Sequence, residues 1–166
     1  MDIGRAKENG YAEIVELLSN RARQLKPKRE IMTFCDYAAI GDMEKIKSLI
    51  AAGQDVNTMS RNGGLALLWA SRMEHWEIAE LLIRNGANVN FMFQNPKGWN
   101  RGLTPLFIAS SHGKKDIVEL LLANGAELNL MPSGDTALDI ARRYGEHTGI
   151  REYTEIVELL QKHGAK

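Results

Sequence analysis

The sequence contains one cysteine, four prolines and no excess of either charge. Cys35 has no second cysteine to pair with, so no disulfide forms within the chain, and a free thiol fits a reducing compartment. Lys plus Arg and Asp plus Glu both number 21, which removes any global electrostatic case for nucleic acid or an anionic membrane as the partner. No stretch reaches the roughly 20 apolar residues that span a bilayer. We therefore expect a cytoplasmic protein.

Catalytic and metal-binding motifs are also missing from the sequence. No Gly-rich phosphate loop and no His-Glu-x-x-His occurs, and the four histidines lack ligand spacing. Cys35 falls in a predicted helix, where a buried thiol is commoner than a nucleophile. In the run Ser110-Ser111-His112, neighbouring side chains on a helix are expected to project in different directions, so we predict no nucleophile and base pair. We expect no enzyme, cofactor or metal.

The sequence does contain a recurring signal for the end of a helix. Four times a leucine-rich helical stretch runs into a glycine, at intervals of 33, 39 and 39 residues, namely at Gly53, Gly86, Gly125 and Gly164. Such self-similarity is typical of stacked repeats, each of which contacts only its neighbours. The sequence therefore predicts a repeat protein with an extended surface.

The clearest unit spans residues 102–129. Thr104 is placed to cap a first helix, and Pro105 suits its first position because that position needs no N–H donor. Gly113 permits the left-handed backbone that turns the chain back, and an apolar stripe from residue 117 to residue 122 predicts a second helix that ends at Gly125. The predicted unit is helix, turn, helix and loop.

This unit, with its Thr-Pro-Leu start, central glycine, Ile-Val-x-Leu-Leu helix and Gly-Ala exit, resembles the ankyrin repeat. The resemblance implies an all-α solenoid of stacked helix-turn-helix units, with first helices and connecting fingers forming one concave face. We assign one domain, 1–166, with repeats at 31–57, 64–90, 102–129 and 134–166. Residues 1–25 echo the same spacing as a divergent N-terminal helical pair. That pair is either a cap or the remnant of a longer array.

The connector between repeats two and three departs from the pattern by six extra residues. Asn95-Pro96-Lys97-Gly98 is a good turn tip, so we predict an elongated finger loop with Phe91, Met92 and Phe93 on one arm and Trp99 on the other. Two interpretations stay open. The aromatic side chains pack on one another and on adjacent fingers, or they anchor a partner, where Trp, Phe, Met and Arg are over-represented.

Repeats two and four depart from the pattern in other ways. Repeat four has seven extra residues between Gly145 and Ile156, which lengthen its turn or its first helix and leave partner contact there open. Repeat two has Glu74 where the others have a turn glycine, and a positive φ there stores strain of order 1 kcal/mol. Its bulky Trp69 and Trp76 are expected to fill space between repeats.

The ankyrin resemblance implies non-catalytic protein binding, as a scaffold or adaptor for an unidentified protein and not for nucleic acid or membrane, by a chain that we expect to be a monomer. The alternative is an inhibitory or regulatory subunit, of the immunity type, that blocks a partner enzyme. The resemblance also implies that an asparaginyl oxygenase can hydroxylate Asn57, Asn90 and Asn129. The expected partner-binding residues are Arg61, Asn62, Arg72, Met73, Phe91, Phe93, Trp99, Asn100, Arg101, Leu103, Ser110, Ser111, Arg142 and Arg143.

Overall fold

The structure is a computed structural model, and it describes residues 32–61, 63–92, 103–130 and 134–165. The chain divides into two compact units, 1–31 and 32–166, and every described residue belongs to the second. The N-terminal helical pair assigned to 1–25 lies outside the described residues. The described ranges hold eight α-helices: α1 (Phe34–Ile40), α2 (Met43–Ala51), α3 (Ala66–Arg72), α4 (Trp76–Arg84), α5 (Pro105–Ser111), α6 (Lys115–Ala123), α7 (Ala137–Thr148) and α8 (Arg151–Lys162).

The eight helices form four hairpins that stack in chain order. Each odd-numbered helix packs on the even-numbered helix that follows it, and α1, α3, α5 and α7 contact one another in sequence. Helices α4, α6 and α8 form a second layer in the same way. We call the side lined by α1, α3, α5 and α7 the first-helix face, and the side lined by α2, α4, α6 and α8 the second-helix face. The predicted all-α stack of repeats is confirmed.

The first helices begin where their capping residues predict. The Thr104 hydroxyl accepts a hydrogen bond from the Phe107 N–H at 3.2 Å, and Pro105 occupies the first helical position. Thr136 and Asp139 form a reciprocal capping box, whose hydrogen bonds from the Thr136 N–H and hydroxyl hold the pKa of the Asp139 carboxyl below its usual range. Helix α3 follows Leu65, which supplies no side-chain cap. Repeat two therefore lacks a support that its neighbours have.

The core runs through the stack as a continuous apolar cluster. Its members come from both helices of every described hairpin, so each hairpin closes the interior of the one before it. The largest fully buried side chains include Ile46, Leu67, Leu82, Leu106, Leu121, Leu138 and Leu160. Because a single hairpin would expose its part of this cluster to water, stability depends on stacking.

Asparagine side chains tie successive exit loops together. The Asn57 amide donates to the Gly86 carbonyl at 3.0 Å, and its oxygen accepts from the Asn88 N–H at 2.7 Å. Asn90 makes the same two bonds one repeat further on, to the Gly125 carbonyl at 2.9 Å and from the Glu127 N–H at 2.8 Å. Each amide thus satisfies a donor and an acceptor of the next loop, which fixes the register between repeats.

A second inter-repeat contact involves the equivalent residues His75, Lys114 and Tyr153, which lie 39 residues apart. The His75 ring reaches back to the preceding repeat, where Nε2 lies 3.2 Å from the Ala39 carbonyl oxygen. The Tyr153 hydroxyl donates to the Ser111 carbonyl at 2.9 Å. Each ring packs over a turn glycine of the preceding repeat, and a Cβ on Gly41 would lie 2.6 Å from the His75 ring.

The junction between repeats two and three is built differently. Glu74 occupies the turn position at a φ of 60°, and it is the one non-glycine with positive φ across 32–61, 63–92, 103–130 and 134–165. Lys114, in place of a ring, holds its ammonium 5.7 Å from the centre of the Trp76 ring. Because Glu74 carries a Cβ, the space that a ring fills at the other junctions is not available here. Glu74 thus has the positive φ from which the sequence analysis predicts backbone strain.

In repeat four the structure distinguishes between a longer turn and a longer first helix. Its extra residues extend the first helix, so α7 runs through Gly145 to Thr148, and the left-handed turn falls at Gly149 with a φ of 66°. Gly145, the sequence equivalent of the turn glycine Gly113, is thus a helical residue. Glycine inside a helix costs about 1 kcal/mol relative to alanine. Its missing side chain leaves room for Tyr153, whose Cβ would lie 3.3 Å from a Cβ at Gly145.

The strain at Glu74 predicts a stabilising substitution. Glu74→Gly removes the penalty of a Cβ at positive φ, and although glycine gains freedom in the unfolded chain, we expect the free energy of unfolding to rise by about 1 kcal/mol. Urea unfolding followed by circular dichroism measures it. Glu74→Ala is the matched control, because it removes the carboxylate but keeps the Cβ. A Glu74→Gly protein no more stable than Glu74→Ala would show that the backbone there is not strained.

Candidate functional site

Two sets of three equivalent residues lie on the first-helix face, at the ends of α3 and α5 and within α7. Helix α3 ends at Arg72 and α5 at Ser111, while Arg143 precedes Gly145, the sequence equivalent of Gly113. The residue after each of these is exposed, with Met73 48% and Tyr144 42% accessible. We call this set the first-helix row: Arg72, Met73, Ser111, His112, Arg143 and Tyr144. It contains four of the expected binding residues.

The prediction that Ser110 is an exposed binding residue is wrong. It is completely buried, and its hydroxyl has no hydrogen-bond partner within the described ranges. The equivalent Ser71 is also buried and donates to the Leu67 carbonyl at 2.8 Å. Ser110 precedes Ser111 by one residue, a rotation of about 100° on a helix, which turns it from the exposed row into the stack. The equivalent Arg142 is exposed.

Other expected binding residues divide into those that pack and those that lie outside the described ranges. Phe91 and Leu103 are half-buried against Leu68 and Ile108, so these two support the packing interpretation of the connector. Arg61 and Arg142 are exposed, whereas Arg143 pairs with Asp135 at 2.9 Å. Asn62, Phe93, Trp99, Asn100 and Arg101 lie outside the described residues. The elongated finger loop therefore remains a prediction.

Trp69 joins the loop before α3 to the first-helix row. Its indole N–H donates to the Ser60 hydroxyl oxygen at 3.3 Å, and a Cβ on Gly64 would lie 2.5 Å from the same nitrogen. The Arg72 guanidinium lies over the indole, 5.7 Å from the ring centre. Met59, on that loop, is 59% exposed. The sequence analysis did not single out Met59, although a large apolar side chain in a polar loop is a feature that the sequence shows.

His112 contacts Ser111, which the sequence analysis did not expect. Its Nδ1 lies 2.8 Å from the Ile108 carbonyl oxygen and 3.0 Å from the Ser111 hydroxyl, so the expectation that these neighbours project apart is wrong. The Ser111 hydroxyl also donates to the Ile108 carbonyl, at 2.8 Å. When Nδ1 carries a proton that is directed at the Ile108 carbonyl, Nδ1 cannot accept a proton from the Ser111 hydroxyl. This pair therefore has the geometry of a helix end and not of an activated nucleophile.

The second-helix face carries an open groove of about 530 Å³. Trp76, Gly113 and Ile117 supply its apolar part. Its charged lining includes the Lys115 ammonium, which lies 3.1 Å from a Glu155 oxygen and joins α6 to α8. This ion pair raises the pKa of Lys115 and lowers that of Glu155. The groove is therefore a charged seam between stacked helices.

The comparisons with known proteins agree with this architecture. A stack of helical hairpins with exposed first-helix ends defines a helical-repeat protein. A family model of ankyrin repeats matches residues 3–93 and 91–166. The chain belongs to the ankyrin repeat family. Ankyrin repeats generally mediate protein–protein interaction and are typically not enzymes.

Individual relatives match parts of the chain. The sequence is 29% identical over 114 residues, 69% of the chain, to the ankyrin repeat and KH domain-containing protein mask-1 of Caenorhabditis elegans. It is 31% identical over 65 residues, 39% of the chain, to the ankyrin repeat domain-containing protein 40 of Homo sapiens. These alignments span 4% and 18% of the two relatives. The similarity thus concerns the repeats and not whole proteins.

Neither a metal-binding cluster nor a membrane-spanning helix occurs in the described ranges. There, no three His, Cys, Asp or Glu side chains come together in an arrangement that would hold a metal ion. Among the helices of those ranges, none is long and apolar enough to cross a bilayer.

Cys35 is a buried thiol. It is 2% exposed, and its Sγ lies 3.3 Å from the Thr58 carbonyl oxygen. Burial, aided by the charge of Asp36, raises the pKa of the thiol from 9.0 to about 11. Because the folded pKa is the higher one, the stability linked to this thiol is present below pH 9 and declines as pH rises toward 11.

Cys35 is accordingly expected to react slowly with thiol reagents. At pH 8 the native chain should react with Ellman's reagent far more slowly than the same chain in urea, because both access and the thiolate fraction are low. Absorbance of the released thionitrobenzoate measures the rate. Free cysteine under both conditions controls for the effect of urea on the reagent. Native Cys35 reacting as fast as free cysteine would contradict its placement in the core.

Proposed function

We propose that this chain is a non-catalytic protein-binding module that holds its partner on the first-helix face, the concave face that the ankyrin resemblance implies. The observation that carries the proposal is the first-helix row, whose equivalent exposed side chains recur in three successive repeats. Exposed Met, Tyr and Arg side chains are the types over-represented in interfaces.

The proposal has further parts, which follow from the ankyrin resemblance and the sequence. The chain acts as a monomer in the cytoplasm, as a single domain over 1–166, without a cofactor or metal. Its partner is a protein and not nucleic acid or a membrane. The predicted finger loop, with Phe93, Trp99, Asn100 and Arg101, adds to the binding surface, and Asn62 lies at the neighbouring connector. Hydroxylation of Asn57, Asn90 and Asn129 remains a proposal.

The test is affinity capture from the source cell with two variants of equal charge change. The first-helix variant carries Met73→Glu, Ser111→Glu and Arg143→Gln. The control variant carries Ser48→Glu, Ala123→Glu and Gln161→Glu at exposed positions on the second-helix face. We expect the wild type and the control variant to retain the same protein, and the first-helix variant to lose it.

The opposite pattern, with loss only in the control variant, would place binding on the other face and reject the proposal. Circular dichroism confirms that both variants fold. If the captured partner is an enzyme, its activity with and without this chain tests the alternative function, an inhibitory subunit. Undiminished turnover in the saturated complex would identify an adaptor.

A further inference from the structure

The loop before α3 and the end of α3 meet at Trp69. Trp69 connects the two, because Ser60 hydrogen-bonds its indole and Arg72 lies over its ring. Exposed thioethers lie on both sides of this connection, with Met59 59% and Met73 48% accessible. We call Met59, Arg61, Trp69, Arg72 and Met73 the arginine–methionine patch.

The arginines of this patch differ from the cations of the second-helix face. There, Arg84 lies 2.8 Å from a Glu80 oxygen, and Arg151 lies 2.7 Å from a Glu155 oxygen. Within the described ranges, neither Arg61 nor Arg72 has a carboxylate within 4.0 Å. The patch thus presents two guanidinium groups whose charge this part of the fold does not neutralise.

The nearest acidic residue in sequence does not supply the missing charge. Glu74 follows Arg72 by two residues, but its carboxylate points toward repeat three, where its Oε1 lies 3.7 Å from His112 Nε2. The positive φ of Glu74 directs its side chain differently from that of a helical residue. The Arg72 guanidinium instead lies over the Trp69 ring, 5.7 Å from its centre, and its N–H donors remain available to a ligand.

We propose that the arginine–methionine patch binds an acidic segment of a partner protein, in which carboxylates meet Arg61 and Arg72 and an apolar side chain lies against Met59 and Met73. Guanidinium groups bind carboxylates through paired, charge-assisted hydrogen bonds. Exposed methionines adapt to varied apolar shapes. The mixture of thioether and guanidinium favours a peptide over nucleic acid, which requires a denser array of cations to offset its phosphates.

This proposal rests on the proposed function and names the chemistry of its partner. The probe is a random dodecapeptide library displayed on phage and selected against the immobilised full chain. We expect the retained peptides to be rich in Asp and Glu and to include an apolar residue between acidic ones. The affinity of the best synthetic peptide, measured by fluorescence anisotropy, should fall as salt is raised.

Substitutions then locate the binding site. Arg61→Gln with Arg72→Gln should weaken the best acidic peptide about tenfold or more, the effect of losing charge-assisted hydrogen bonds. Arg84→Gln is the matched control, because it removes an exposed arginine on the other face, and it should leave the affinity unchanged. Met59→Ala with Met73→Ala should weaken binding without changing its salt dependence.

Three results would overturn the inference. They are the selection of neutral or basic peptides, the retention of no peptide, and acidic peptides that the double arginine variant binds normally. Binding of single-stranded oligonucleotides that depends on Arg72, without peptide binding, would likewise reject it in favour of nucleic acid. If partner capture fails only with the first-helix variant and the selected peptides are neutral, the proposed function is supported. The same result rejects an acidic ligand for the arginine–methionine patch.

Discussion

The register between neighbouring repeats is the constraint on which the rest of the structure depends. Asn57 and Asn90 fix it by offering one donor and one acceptor to the loop that follows. The backbone N–H and C=O groups of a loop have no partners from a helix or a sheet. One side-chain amide can supply both a donor and an acceptor for them. Only when the loops are aligned in this way do equivalent helix ends fall into one exposed row.

The charged side chains on the two faces of the stack have different surroundings. On the second-helix face, ion pairs such as Lys115 with Glu155 join neighbouring helices, so its charges serve the stack itself. On the first-helix face, Arg61 and Arg72 remain unneutralised by carboxylates of the described ranges, beside exposed methionines. The ankyrin pattern sets how repeats stack, and we propose that side chains outside this pattern determine what is bound.

Sequence patterns predicted the hairpins because their causes are local. Thr104 caps its own helix three residues away, and Gly113 adopts its left-handed backbone within a single residue. Other features depend on tertiary packing. Ser110 is completely buried although it directly precedes a residue of the exposed row, and Gly145, the sequence equivalent of the turn glycine Gly113, stays helical where Tyr153 packs on it. Neither feature can be read from the local sequence, nor can the contact between Ser111 and His112.

The central claim, that asparagine amides lock successive loops, is tested most directly by hydrogen exchange at single amides. The Glu127 N–H is bonded to Asn90, whereas the Asn88 N–H is bonded to Asn57 and serves as an internal control. In an Asn90→Ala protein, we expect Glu127 exchange to accelerate about tenfold or more and Asn88 exchange to stay unchanged. Equal protection of Glu127 in both proteins would contradict the account.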